Sequence, residues 1–132
     1  MTEDYVSYEV AKLLKEKGFN EPIFEFYDKN GTVLYSRHPQ GLKLSDFCKD
    51  DELYPHITHQ MAAKWLREIH GIGIFPGTYT LTNASGTEEY HPYGSAIVNL
   101  KTYELMTNDI MSETLYEDAF EHALTYVLKE LV

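Results

Sequence analysis

The spacing of apolar side chains predicts three helices. Ser7 is placed to cap the first helix, whose apolar positions recur at helical spacing until Gly18 ends it. Thr58 is placed to cap the second helix, Gly71 ends it, and a capping box that starts at Thr114 begins the third. The apolar stripes of the three helices are Val10, Leu13 and Leu14; then Met61, Ala62, Trp65, Leu66 and Ile69; then Tyr116, Ala119, Phe120, Ala123, Leu124, Val127, Leu128 and Leu131.

Aromatic and β-branched runs predict two hairpins between the helices. In the first, the turn residues 28–31 join an aromatic run at 23–27 to a second strand at 32–36. In the second, extended residues at 72–75 and 79–82, which Pro76 and Gly77 are expected to separate, lead through a turn at 83–87 to a strand near 93–100. Residues 37–57 are expected to form a long loop with one helical turn around Ser45 to Cys48.

The order of these elements, α-β-β-α-β-β-α, predicts an α+β fold. We expect an antiparallel sheet of about four strands from the two hairpins, with three helices packed on it, in a single globular domain over residues 1–132. The residues expected in one core are Val10, Leu13, Leu14, Phe24, Phe26, Trp65, Leu66, Phe120, Leu124 and Val127.

Composition and charge narrow the function classes. A formal net charge of −10 makes direct nucleic-acid binding unfavourable, because phosphates would be repelled. A single cysteine, Cys48, rules out an intramolecular disulfide and suits a cytoplasmic location. No apolar run approaches the roughly 20 residues of a membrane helix, and residues 1–8 lack the basic start of a secretory signal.

Three segments resemble a known group of proteins: YEVAKLLKEKGF at residues 8–19, QMAAKWLREIH at 60–70 and YEDAFEHAL at 116–124. They are similar to segments of small uncharacterised proteins found in gut bacteria and in their phages and mobile elements. The resemblance implies a setting, phage or mobile-element cargo, and no particular chemistry.

The candidate chemical groups do not form a catalytic pattern. His56-x-x-His59 has a spacing that zinc could use, but no second pair of ligands accompanies it, and His59 is expected in the exposed first turn of the second helix. We therefore expect no metal and no cofactor. Cys48 lacks a local nucleophile motif and is interpreted as a small buried hydrophobic residue. The carboxylates at 50–52 and 88–89 lie in loop-like sequence, where we expect ordinary solvated charges. No catalytic residue is assigned.

Tyrosine is the one compositional excess, with eleven residues against a single tryptophan. Tyrosine suits binding faces, although half-buried strand tyrosines are the more frequent explanation. The residues expected to bind a partner are Tyr54, His56, His59, Tyr90, His91 and Tyr93.

The leading hypothesis is a non-enzymatic, small acidic protein-interaction module, an accessory or inhibitor-like protein whose partner is another protein. The alternative is a small hydrolase or small-ligand binder that uses histidines and Cys48. The acidic face of the last helix is interpreted as a solvated face, with mimicry of nucleic acid toward a basic partner as the other explanation.

Overall fold

The computed structural model describes residues 4–48, 51–78, 81–82, 89–90, 93–106 and 115–132. Over these residues the chain has the predicted α+β class, and its longer elements follow the predicted order. The chain divides into two compact units, Met1–Ala62 with Val127–Val132 and Ala63–Tyr126.

The first unit has α1 and one small sheet, together with short helical turns and the start of α2. Its elements are α1 (Tyr8–Glu16), β1 (Glu25–Tyr27), β2 (Val33–Tyr35), a 3-10 turn (Leu44–Asp46), β3 (Tyr54–Pro55) and the start of α2 (His59–Trp65). The strands pair antiparallel in the order β2-β1-β3, and α1 lies against β3. The last helical turn of the chain, Val127–Leu131, is a wider π-helical turn that packs beside α1.

Local hydrogen bonds fix both ends of α1 as the sequence predicts. The Ser7 hydroxyl accepts the Val10 N–H at 3.2 Å and caps the first turn. At the other end Gly18 has φ +94°, and the Phe19 N–H donates to the Leu14 carbonyl at 2.9 Å. This is a Schellman ending, in which glycine tolerates the positive φ that other residues resist.

The predicted first hairpin is also confirmed. Phe26 pairs with Leu34 across β1 and β2, and the Asp28 side chain holds the turn by accepting the N–H groups of Asn30 and Thr32 at 2.8 and 2.9 Å. The loop that follows has its helical turn at Leu44–Asp46, close to the expected place. The sequence does not predict β3, because a two-residue strand containing proline carries no alternation to detect.

The second unit is built on a longer hairpin. α2 continues into a π-helical turn (Leu66–His70), which Gly71 ends with φ +66° as predicted. The strands are β4 (Ile72–Thr78), β5 (Leu81–Thr82), β6 (Glu89–Tyr90), β7 (Tyr93–Asn99) and β8 (Glu104–Leu105), followed by α3 (Tyr116–Tyr126). β4, β7 and β8 form one antiparallel sheet, and the β5–β6 pair continues the register of β4 and β7. The predicted turn at 83–87 and the Thr114 cap lie outside the described residues.

The expectation that Pro76 and Gly77 interrupt the strand is wrong. The Leu100 N–H donates to the Gly71 carbonyl at 2.8 Å, so Gly71 and Leu100 form a hydrogen-bonded pair. Along the β4–β7 ladder, hydrogen-bonded and non-hydrogen-bonded pairs alternate from this point. In that alternation the pair Pro76–Ser95 is a non-hydrogen-bonded one, so the nitrogen of Pro76 faces away from β7. Among the described strands β4 stands at the end of the order, so the missing N–H of Pro76 costs no ladder bond with any of them.

A buried polar contact joins α3 to the sheet of this unit. The Ser95 hydroxyl on β7 donates to the Ala119 carbonyl at 3.0 Å, and both residues are buried. Ala119 and Ala123 are fully buried on the helix face that packs against β4 and β7. Their small side chains let helix and sheet approach closely.

Most of the expected core residues are buried, and two are not. Val10, Leu14, Phe26, Trp65, Leu66, Phe120, Leu124 and Val127 are buried, whereas Leu13 is half-buried and Phe24 is 52% exposed. Strand alternation would place Phe24 on the face of Phe26, but the chain bends at Phe24 before β1 begins, which breaks the alternation. Three residues of the predicted helix stripes, Met61, Ile69 and Tyr116, are also exposed.

The single sheet of about four strands is replaced by separate small sheets. The first hairpin gains β3 and the second gains β8, so each unit has its own three-stranded sheet. None of the helices formed by the described residues is long and apolar enough to cross a membrane.

Candidate functional site

β-pairing places His56 beside Glu25 in the first unit. β3 pairs with β1, and just beyond β3 the His56 N–H donates to the Glu25 carbonyl at 3.2 Å. The two side chains also meet, with 2.7 Å between His56 Nδ1 and Glu25 Oε2. Both side chains are largely but not fully buried. A polar pair of this kind is stable in a mainly apolar setting because each partner satisfies the other.

Two tyrosines hold the His56 ring. Tyr5 stacks on it with 4.2 Å between ring centroids and 2° between planes, and Tyr27 meets it edge-on at 4.8 Å. The Tyr27 hydroxyl donates to the Val6 carbonyl at 2.7 Å, which ties β1 to the segment before α1. His56 is therefore fixed in orientation by rings on two sides and a carboxylate on a third.

Tyr54 belongs to a tyrosine cluster beside this pair. It is half-buried and meets Tyr8 edge-on at 5.4 Å, while the Lys15 Nζ lies 4.9 Å from its ring centroid. Partial burial, together with the neighbouring Tyr54 phenol, raises the pKa of Tyr8 above its ordinary value of 10.0. Tyr54 thus packs against other side chains of the fold as a half-buried strand residue, whereas Tyr8 belongs to α1.

His59 is not in an exposed first turn, contrary to the expectation for this residue. It begins α2 but is buried, and its N–H donates to the Asp4 carbonyl at 2.9 Å. The reason is tertiary, because the bridge between Tyr5 and Thr58 holds Asp4 and Tyr5 against the start of α2. The Thr58 hydroxyl caps α2 by accepting the Met61 N–H at 3.1 Å, as predicted.

The remaining predicted residues belong to the second unit. Tyr93 begins β7, is half-buried and meets Tyr116 edge-on with 6.2 Å between ring centroids. Tyr90 lies in β6, and His91 lies outside the described residues.

An apolar groove lies over the Glu25–His56 pair. Its volume is about 220 Å³, and its lining comprises Tyr5, Pro22, Ile23, Phe24, Glu25, His56, Ile57, Thr58 and Met61. Ile23 and Ile57 are buried, whereas Tyr5, Phe24 and Met61 are exposed. Three large apolar side chains therefore face solvent around one small depression.

The sequence predicts His56 as a binding residue but does not predict the exposed residues Tyr5, Phe24 and Met61 of this groove. The pattern around Phe24 places it in the core, the pattern around Met61 places it in the apolar stripe of the second helix, and no pattern singles out Tyr5. The sequence offers one signal: Pro22 lies two positions before Phe24, which places Phe24 near the start of the strand, where alternation is unreliable.

No protein-family model, curated protein or solved structure matches this chain. The resemblance to small proteins of gut bacteria and their mobile elements thus stays a prediction.

The other candidate groups are placed apart from this groove. Cys48 is exposed, which corrects the interpretation of a buried residue, and it does not line the groove. Its N–H bonds the Asp51 carboxylate at 3.1 Å. Within the described part of the chain, no group of three or more His, Cys, Asp or Glu side chains is arranged to hold a metal ion.

Two further depressions belong to the first unit. One, of about 210 Å³, is apolar and lies beside β2, with Phe26, Leu34, Tyr35, Ser36, Leu42, Phe47 and Leu53 around it. The other, of about 360 Å³, is lined by Asp28, Lys29, Asp51, Glu52 and Leu53. The Asp28 carboxylate is already engaged by two backbone N–H groups of the hairpin turn.

Proposed function

We propose that this protein is a non-enzymatic protein-interaction module, and that it binds an apolar and basic segment of a partner protein in the groove formed by Tyr5, Phe24 and Met61. The observation that carries the proposal is the exposure of these three large apolar side chains around one depression. Clustered exposed apolar surface is a frequent mark of binding sites in water-soluble proteins.

The charges of the groove favour a cationic partner. Glu25 lines it, no lysine or arginine is among its lining residues, and the chain has a formal net charge of −10. A Lys or Arg side chain next to an apolar anchor would meet the Glu25 carboxylate while the anchor contacts Phe24. Complementary charge of this kind speeds association and discriminates between partners.

The fixed position of His56, which lines the groove, also supports binding. The His56 ring is held by Tyr5, Tyr27 and Glu25, so the groove needs little ordering when a ligand enters. Preorganised sites lose less conformational entropy on association.

The groove does not offer the parts that a hydrolase needs. Thr58 is the lining residue that has an aliphatic hydroxyl, the group a hydrolase could use as a nucleophile. This hydroxyl caps α2 by accepting the Met61 N–H. Cys48, the nucleophile of the alternative hypothesis, is not among the residues around the groove. A positioned nucleophile within hydrogen-bond reach of a base is the requirement for covalent catalysis.

A peptide-display selection tests the proposal even though the partner has not been identified. Random peptides would be selected for binding to the intact chain, and the enriched peptides measured against the Phe24→Ala and Met61→Ala variants. We expect enriched peptides to combine an apolar residue with a neighbouring Lys or Arg. Each variant should weaken their binding about tenfold, which corresponds to the loss of about 1.4 kcal/mol.

The matched control is Phe75→Ala. Phe75 is 54% exposed, against 52% for Phe24, and it does not line the groove. Equal losses for Phe75→Ala and Phe24→Ala would contradict the proposed site, and so would enrichment of acidic peptides.

A cytoplasmic setting and an accessory role in phages or mobile elements belong to the same proposal. The exposed thiol of Cys48 suits a reducing compartment. The accessory role rests on the sequence resemblance.

A further inference from the structure

The outer edge of β2 has no strand beside it among the described residues. The sheet of the first unit has the order β2-β1-β3, so β2 pairs on one side only. Leu34 is 44% exposed, and Tyr35 is exposed as well. An open edge of this kind presents backbone groups that another strand can use.

The hydrogen-bond alternation of the hairpin shows which groups face outward. The Ser36 N–H bonds the Phe24 carbonyl at 2.7 Å, and the Asp28 N–H bonds the Thr32 carbonyl at 2.8 Å. Between these two pairs, Leu34 exchanges its backbone bonds with Phe26. The N–H and C=O groups of Val33 and Tyr35 must therefore point away from β1, toward the open edge.

The edge strand is short, three residues, but its sequence carries neither the charge nor the proline that usually keeps an edge from pairing with its own kind. Residues 32–36 are Thr, Val, Leu, Tyr and Ser, without charge or proline. Edge strands of natural proteins are commonly protected by lysine, proline or a bulge. The nearest charged side chains in the sequence are those of Lys29 and Arg37, both outside β2.

We propose that β2 pairs antiparallel with β2 of a second copy of this chain, about a two-fold axis at Leu34. In that register Val33 lies opposite the second copy's Tyr35, and both residues direct their backbone groups outward. Each such pair can exchange both of its hydrogen bonds. Leu34 lies opposite the second copy's Leu34 in a close, non-hydrogen-bonded pair.

The side chains opposed in this register are compatible. Thr32 meets Ser36, the β-branched Val33 meets the aromatic Tyr35, and no like charges are opposed within β2. Aromatic and β-branched pairs across strands are favourable, and like charges are not. A two-fold interface needs a surface that is complementary to itself, and β2 satisfies this in both hydrogen bonding and charge.

The apolar depression beside β2 extends the surface. Leu34 and Tyr35 line it together with Phe47 and Leu53, so the apolar character continues beyond the strand. Side chains of the second copy would contact this depression and remove part of it from water.

Sedimentation equilibrium over a range of concentrations tests the pairing. We expect the average mass of the wild-type chain to rise from monomer toward dimer as the concentration increases. Leu34→Lys places like charges opposite each other at the axis and should weaken the dimer about tenfold or more. The control is Leu105→Lys, since Leu105 is 53% exposed on the two-residue strand β8, and this variant should associate like the wild type.

A crosslinking variant keeps the proposal testable if Leu34→Lys fails to fold. In a Cys48→Ser background, Leu34→Cys should form a disulfide-linked dimer on treatment with diamide, because opposed residues of a close strand pair fall in the range of disulfide Cα separations. A wild-type chain that stays monomeric at all concentrations would overturn the proposal, as would absence of crosslinking. Pairing of β2 only with peptides of another protein would overturn it too.

Discussion

The Nδ1 atom of His56 lies 2.7 Å from the Oε2 atom of Glu25, with the side chain of His56 14% and that of Glu25 27% exposed. This contact repeats at side-chain level the bond between the His56 N–H and the Glu25 carbonyl. A backbone bond and a side-chain contact thus both connect Glu25 and His56, which line the proposed binding groove.

A double-mutant cycle measures this contact. We expect Glu25→Gln and His56→Gln to destabilise the fold separately, and their combination to cost less than the sum, with a coupling of about 1 kcal/mol. Urea denaturation of the four proteins gives the free energies. Strictly additive losses would show that the two side chains do not stabilise each other.

Tyr8 should hold its proton more tightly than an ordinary tyrosine. Partial burial and the Tyr54 phenol raise its pKa, so folding is favoured while the phenol is neutral. This contribution to stability is fully present below the unfolded tyrosine value of about 10 and is lost as the pH rises through the folded value. The pH titration of the 13Cζ resonance of Tyr8 measures the pKa, and Tyr54→Phe should bring it closer to normal. A Tyr8 pKa below that of the unfolded chain would contradict the prediction.

Truncation of Trp65 or Phe120 to Ala should cost about 3–5 kcal/mol each, because both side chains are buried and their removal leaves cavities. The control in the same unit is Phe75→Ala, an exposed aromatic residue whose truncation should cost less than about 1 kcal/mol. Guanidinium denaturation gives the three values. A loss for Trp65→Ala as small as that for Phe75→Ala would mean that the face of α2 is wrongly assigned.

Gly41 should tolerate alanine less well than Gly18. Both have positive φ, +72° and +94°, so each substitution adds about 1–2 kcal/mol of backbone strain. A Cβ at Gly41 would also lie 3.0 Å from the backbone oxygen of Ile23, whereas a Cβ at Gly18 would meet no atom within 4 Å. The melting temperature of Gly41→Ala should therefore fall further than that of Gly18→Ala. Equal melting temperatures would show that the loop holding Gly41 shifts without cost.

Short-range patterns in the sequence determined the ends of several elements. Ser7, Gly18, Thr58 and Gly71 act where they are expected, because a cap or a helix ending involves hydrogen bonds among residues only a few positions apart. The Asp28 turn is determined in the same way. Its bonds join residues no more than four positions apart, so a short stretch of sequence is enough to predict them.

Only the tertiary structure decided which apolar residues are covered. Phe24 and His59 carry patterns that predict the opposite of their observed exposure, because burial depends on the segment that packs over a residue. Asp4 and Tyr5 lie against the start of α2, where His59 is buried, while no described segment covers Phe24 and Met61. The groove is made from residues separated by tens of positions in the sequence. The pairing of β1 with β3 brings them together, and a strand of two residues is too short for the sequence to predict that pairing.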